Sequence, residues 1–200
     1  MFIKDWKKDL LTIPNMLSLF RLLLIPVYVI IYMNAGSPVD FYIAGAILAV
    51  SCLTDMIDGQ IARHFNMIST VGKVLDPLAD KATQFTMILC LSIKLEYPVL
   101  YALIPLFVLK ELFQLFAGCW ALRKGKMLKG ALISGKISTT ILFISLIVLI
   151  IFPMKETQVT VIMIIDGIAL LIAFLHYAIT YFTGNSKFQE FERSEKNESQ

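Results

Sequence analysis

Residues 53–81 read LTDMIDGQIARHFNMISTVGKVLDPLADK. Four of the chain's eight aspartates, Asp55, Asp58, Asp76 and Asp80, fall within 26 residues here, beside Arg63, Lys73 and Lys81. Asp55 and Asp58 are three apart and Asp76 and Asp80 four apart. On a helix, each pair shares one face a turn apart. A short turn over about 64–72 is expected to join two such helices as an antiparallel pair. Four carboxylates then converge on one point.

The rest of the chain is greasy. Of its 200 residues 58% are hydrophobic and 16% charged, with a mean hydropathy of +0.75. Soluble domains run at roughly 45–50% apolar and about 25% charged. A soluble fold of this size has too little interior for so much apolar surface, so lipid is the expected solvent. The net charge of +3 gives no reason to invoke nucleic acid. Cys52, Cys90 and Cys119 are widely spaced in apolar surroundings, read as small buried hydrophobes rather than metal ligands.

A hydrocarbon layer of about 30 Å takes roughly 20 helical residues to cross. Six segments qualify: 14–33, 41–63, 75–95, 98–122, 134–153 and 158–182. Their apolar runs are continuous, which argues against a β-barrel. Pro14, Pro38, Pro98 and Pro153 lie near the expected ends; Pro26 and Pro105 lie inside spans, where membrane helices tolerate them. Residues 1–11 are expected to form an amphipathic helix on the membrane surface, followed by a retained first span rather than a cleaved leader. Basic residues alternate with the loops. Lys4, Lys7, Lys8 and Arg21 lie early, Arg63 and Lys73 in the second loop, and Arg123, Lys124, Lys126, Lys129 and Lys136 around the fourth. That bias puts both termini and the aspartates on the cytoplasmic side of the cell membrane. The expected layout is an all-α integral membrane protein, with one domain over 1–184 and a polar, disordered tail over 185–200.

An unpaired carboxylate at mid-bilayer costs roughly 2.5–3.5 kcal/mol. Four would cost on the order of 10 kcal/mol, which rivals the stability of a whole domain. Positive charge must therefore sit among them. Lys73 and Lys81 are near, and a salt-bridge cluster is one reading. Hard divalent cations such as Mg²⁺, Mn²⁺ or Ca²⁺, which prefer oxygen ligands, are the other. The neighbours suit phosphate chemistry: Gly59 and Gly72 let a ligand approach the backbone, Ala62 keeps the facing turn small, and Arg63 offers a fork for phosphate.

The string Asp55-x2-Asp58-Gly59-x2-Ala62-Arg63-x8-Gly72-x3-Asp76-x3-Asp80 resembles the signature of the CDP-alcohol phosphatidyltransferases, with all eight marked positions filled. The resemblance extends over about residues 10–182 and implies transfer from a CDP-linked lipid to an alcohol, with release of CMP. It implies that Asp55, Asp58, Asp76 and Asp80 hold Mg²⁺ or Mn²⁺, two ions, with Asp80 as general base. It also implies that Gly59, Ala62, Arg63 and Gly72 bind the CDP-lipid, and that the protein is a homodimer.

Within that family, LDPLADK (75–81), IPNMLSLFR (13–21) and SGKISTT (134–140) resemble the members that make phosphatidylglycerophosphate and the related CDP-dependent cardiolipin synthases. The implied donor is CDP-diacylglycerol and the implied acceptor glycerol 3-phosphate, with phosphatidylglycerol as the alternative acceptor. A phosphate dianion needs a cationic cradle, for which Arg21, Lys110, Arg123, Lys129 and Lys136 are the candidates. Lys110-Glu111 stands where such relatives usually have Arg-Glu, and lysine lacks the bidentate fork. Asp166, inside the last span, is read as a structural hydrogen-bonding residue, and His176 as an interfacial polar one. Trp6 and Trp120 read as interface anchors. A metal-binding transporter without catalysis is the reading from another class.

Overall fold

The computed structural model describes residues 13–64, 72–123, 126–128, 132–183 and 188–190, with side chains described over 15–54, 75–121 and 132–183. Six helices occupy this range: α1 (Ile13–Asn34), α2 (Pro38–His64), α3 (Gly72–Leu95), α4 (Pro98–Arg123), α5 (Ile133–Ile151) and α6 (Glu156–Thr183). Every end lies within three residues of the segment expected from hydropathy. Pro38 and Pro98 open α2 and α4, and Pro14 is the second residue of α1. The first turn leaves N–H groups unpaired anyway, so proline costs nothing there. Pro77 is a departure. The expected segment starts at residue 75, but α3 begins at Gly72 and carries Pro77 inside it.

Among the described residues, four helices are long and apolar enough to cross a membrane: Asn15–Asn34, Pro98–Ala121, Ile133–Ile151 and Glu156–Thr183. In α2 the described side chains end at Thr54, and Pro38–Thr54 is a shorter apolar helical stretch. The expected surface helix over 1–11 lies outside the described residues.

The chain forms two compact units, one of Met1–Tyr97 with Leu146–Lys155 and one of Pro98–Ser145 with Glu156–Gln200. In the first, α1 packs against both α2 and α3. Its buried face carries Asn15, Ser18 and Arg21, then Tyr28 and Tyr32. Polar groups thus line one half and stacked tyrosines the other, with ring centroids 5.5 Å apart. Gly45 on α2 is a close-approach position: a Cβ there would lie 2.6 Å from Ile151 Cγ1. Lys94, near the end of α3, donates to the carbonyls of Tyr32 (2.6 Å) and Ala35 (2.8 Å), capping α1. Asp40, in the first turn of α2, accepts from the backbone N–H groups of Gly36 and Ser37 and from the Ser37 hydroxyl.

In the second unit, α4 packs on α6, with Phe113 and Phe174 edge to face at 4.9 Å. The buried stripe of α6, Val159, Met163, Asp166, Leu170, Ala173, Tyr177 and Thr180, repeats every three or four residues. Its other side exposes Ile164, Ile168, Leu171, Ile172 and Leu175. A contiguous apolar face of this kind suits lipid, not water. Two short strands, β1 (Lys126–Leu128) and β2 (Phe188–Glu190), pair antiparallel with Lys126 opposite Glu190. Nothing in the polar composition of the tail indicates this pairing.

Candidate active site

The motif occupies the C-terminal end of α2 and the N-terminal end of α3. Asp55, Asp58, Gly59, Ala62 and Arg63 lie on the last turns of continuous helix α2, and Gly72, Asp76 and Asp80 on the first turns of α3. Of these, Asp76 and Asp80 have described side chains. The side chains of Asp55, Asp58, Ala62 and Arg63, and the surroundings of Gly59 and Gly72, lie outside the described residues.

One recess ties the two helices together. It is narrow and is lined by Arg21 and Tyr28 of α1, Leu48 and Ser51 of α2, and Thr83 and Thr86 of α3, among others. Ser51 precedes Asp55 by four residues and Thr83 follows Asp80 by three. Asp55 and Asp80 therefore lie about one helical turn from residues that line the same recess.

Asp76 and Asp80 sit on successive turns of α3, each with a side chain 41% exposed. The Ser18 hydroxyl donates to Asp76 Oδ1, and Arg21 Nη2 lies 3.9 Å from the same oxygen. Asp80 Oδ2 lies 3.6 Å from Lys81 Nζ. Among the described residues no trio of His, Cys, Asp or Glu assembles; half of the aspartate set lies outside them. The donor set is wholly carboxylate oxygen, which fits a hard divalent cation. Asp76 is held by Ser18 and Arg21 of α1, and both described carboxylates are partly exposed, as a ligand would require.

The residues read from the sequence as an acceptor cradle are scattered in character. Arg21 is buried, at 2% exposure, and belongs with Asp76. Lys110 is equally buried on α4, its Nζ 2.6 Å from Glu111 Oε1. Lys136 is exposed in the first turn of α5. Lys129 and the Arg123 side chain lie outside the described residues.

Around SGKISTT the structure adds partners. Ser134 Oγ lies 2.8 Å from His176 Nδ1. The Leu132 N–H donates to the Tyr177 phenol oxygen at 3.1 Å. A Cβ on Gly135 would lie 2.7 Å from that same ring. The start of α5 is thus fastened to the last turns of α6 by two neighbouring side chains. Asp166 is buried on α6: within the second unit Ser145 Oγ donates to its Oδ1 at 3.2 Å, while its Oδ2 is buried with no hydrogen-bond partner among the described residues.

Comparison with known proteins agrees with the signature. The CDP-alcohol phosphatidyltransferase family model matches residues 11–178, and the chain belongs to that family. It is 32% identical over 160 residues to a CDP-diacylglycerol–glycerol-3-phosphate 3-phosphatidyltransferase of Wigglesworthia glossinidia brevipalpis, covering 76% of this chain and 82% of that one. It is 51% identical over 73 residues to the CMP-forming cardiolipin synthase of Homo sapiens, 35% of this chain and 22% of that one. It is 35% identical over 98 residues to a cardiolipin synthase (CMP-forming)/mitochondrial hydrolase fusion protein of Schizosaccharomyces pombe, 48% of this chain and 16% of that one. The last two matches span less than a quarter of those relatives' own length.

Proposed function

We propose that the protein is a phospholipid-synthesising enzyme that transfers the phosphatidyl group of CDP-diacylglycerol to glycerol 3-phosphate, giving phosphatidylglycerophosphate and CMP. The observation that carries this reading is the complete aspartate signature on the ends of two successive helices that share one recess. The Wigglesworthia relative, matched over most of both chains, supports the acceptor. Phosphatidylglycerol as acceptor is the second reading, favoured by the 51% identity to a human cardiolipin synthase over 73 residues.

In this reading Asp55, Asp58, Asp76 and Asp80 hold Mg²⁺ or Mn²⁺. Bound there, divalent ions polarise the phosphoryl group and offset the charge of departing CMP. Gly59, Ala62 and Gly72 leave room for the CDP moiety, and Arg63 holds its phosphates. Asp80 accepts the proton of the acceptor hydroxyl. The oxygen of that hydroxyl bonds to the phosphorus bearing diacylglycerol, and the bond from that phosphorus to CMP breaks, its electron pair leaving with CMP. Lys110, Lys129, Lys136 and Arg123 serve the acceptor's phosphate. The six helices cross the cell membrane with the aspartates on the cytoplasmic side, in accord with the bias of basic residues.

The test uses purified protein, CDP-diacylglycerol and Mg²⁺ or Mn²⁺, with glycerol 3-phosphate or phosphatidylglycerol added in turn and lipid products read by mass. Phosphatidylglycerophosphate is expected, and Asp80→Asn is expected to abolish CMP release while CDP-lipid binding persists. Product with phosphatidylglycerol alone overturns the acceptor. No CMP with either acceptor, alongside retained metal binding, overturns the enzyme in favour of a metal-binding membrane protein.

A further inference from the structure

We infer that Ser18 and Arg21 of α1 are positioning residues that orient Asp76 toward bound divalent metal, so that α1 takes part in building the metal site. The inference rests on the reading that the four aspartates hold metal.

Ser18 and Arg21 are three apart on α1, hence on one face. Both are buried, Ser18 at 0% and Arg21 at 2% exposure. A buried arginine in an otherwise apolar helix requires a partner of opposite charge or polar groups around it. Arg21 Nη2 donates to Ser18 Oγ at 3.3 Å and lies 3.9 Å from Asp76 Oδ1. Ser18 in turn donates to that same Oδ1.

The order of donors gives the arrangement a direction. A guanidinium can only donate hydrogen bonds, whereas a hydroxyl donates one and accepts others. Arg21 therefore occupies a lone pair of the serine oxygen and leaves its single proton for Asp76. Among the described residues both contacts on Asp76 fall on Oδ1, which leaves Oδ2 for a ligand. Groups that hydrogen-bond a ligating carboxylate fix its orientation, and their loss typically lowers metal affinity or activity about 10–100-fold. Asp80, a turn along α3, has Lys81 Nζ beside it.

This moves Arg21 from the acceptor cradle to the metal side, and the two roles differ in what they predict. Mn²⁺ binding to the detergent-solubilised full chain, read by electron paramagnetic resonance, separates them, with melting temperature as the check on folding. Ser18→Ala is expected to weaken Mn²⁺ binding about 10–100-fold, with the apparent KM for glycerol 3-phosphate unchanged at saturating metal. Ser18→Thr, which keeps the hydroxyl, is expected to bind Mn²⁺ within a few-fold of the parent. Asp76→Asn is expected to weaken binding too, and adding Ser18→Ala to it to cost little more, because the serine acts through that carboxylate.

Unchanged Mn²⁺ binding in Ser18→Ala overturns the inference and leaves the enzyme reading intact. So do losses that add in full with those of Asp76→Asn, or a fall in melting temperature with no change in metal affinity. If Arg21→Lys raises the acceptor KM alone, Arg21 returns to the cradle and the inference fails. No Mn²⁺ binding by the parent protein removes the metal reading itself, and this inference with it.

Discussion

Replacing Lys94 with methionine separates what holds the first unit together from what performs chemistry. The ammonium of Lys94 donates to Tyr32 O at 2.6 Å and Ala35 O at 2.8 Å. It also lies 5.1 Å from the centroid of the Tyr32 ring and 4.9 Å from that of Phe41. Methionine keeps most of the stem and removes the charge. A hydrogen bond to a charged group contributes about 1.5–3 kcal/mol, and an exposed cation–π contact about 0.5–1 kcal/mol. The site is half-buried and the freed carbonyls lie at an open turn, where water replaces part of the loss. A net destabilisation of about 2–3 kcal/mol follows. For a chain of this length each kcal/mol moves the melting temperature by about 2–4 °C, so Lys94→Met is expected to melt about 4–12 °C lower in detergent, followed by circular dichroism. Lys94 is fourteen residues from Asp80 along one helix, about 21 Å at 1.5 Å per residue. CMP release measured well below both melting points is therefore expected to match the parent. A drop of less than about 2 °C refutes the capping argument. Lost activity at an equal folded fraction refutes the separation of the two ends.

Gly135→Ala puts a methyl group 2.7 Å from Tyr177 Cε2 and Oη. Overpacking costs about 1–3 kcal/mol, against roughly 1 kcal/mol regained in helix propensity. The variant is expected to melt below the parent, and adding Tyr177→Phe to it to recover part of the loss; a melting temperature at or above the parent's contradicts the contact. Asp40 is held below the ordinary aspartate value, first by the Ser37 backbone N–H, then by the Gly36 N–H and the Ser37 hydroxyl. A lowered carboxyl stabilises the fold above its unfolded value of about 3.9 and loses that contribution as pH falls through the lower folded value. The melting-temperature gap between the parent and Asp40→Asn is expected to stay flat from neutral pH to about pH 4 and to close below it; a gap that widens in acid contradicts the sign.

Much of the layout is written in local chemistry. Runs of apolar residues set the helices, and prolines at 14, 38 and 98 mark their starts because first-turn N–H groups have no helical acceptor. The aspartates declare themselves because charge is rare in so apolar a chain. What the sequence hides is pairing across helices. Ser18 reads as an ordinary small residue until Asp76, 58 positions away, is seen to accept from it. The signal available was Asn15, Ser18 and Arg21 at a spacing of three, which puts a polar stripe on one side of α1. The β1–β2 pair escapes for the same reason, since its partners are more than 50 residues apart and carry no alternating pattern. His176 beside Ser134 is likewise a contact 42 positions apart.

Charge balance now bears on the acceptor. Two of the five cations assigned to a phosphate cradle from sequence have carboxylates of the chain beside them, Arg21 with Asp76 and Lys110 with Glu111. A buried cation is stabilised by its partner, and the pair carries no net charge to offer a second anion. Lys110 beside Glu111 is thus better suited to donating a hydrogen bond than to neutralising a dianion. Lys136, exposed at the start of α5, keeps the reach of a point charge on a flexible stem. A phosphodiester such as phosphatidylglycerol presents one negative charge, and glycerol 3-phosphate close to two near neutral pH. The fewer uncompensated cations the cradle holds, the more the balance moves toward the phosphodiester. The comparison of the two acceptors thus measures how much positive charge Lys129, Lys136 and Arg123 supply together.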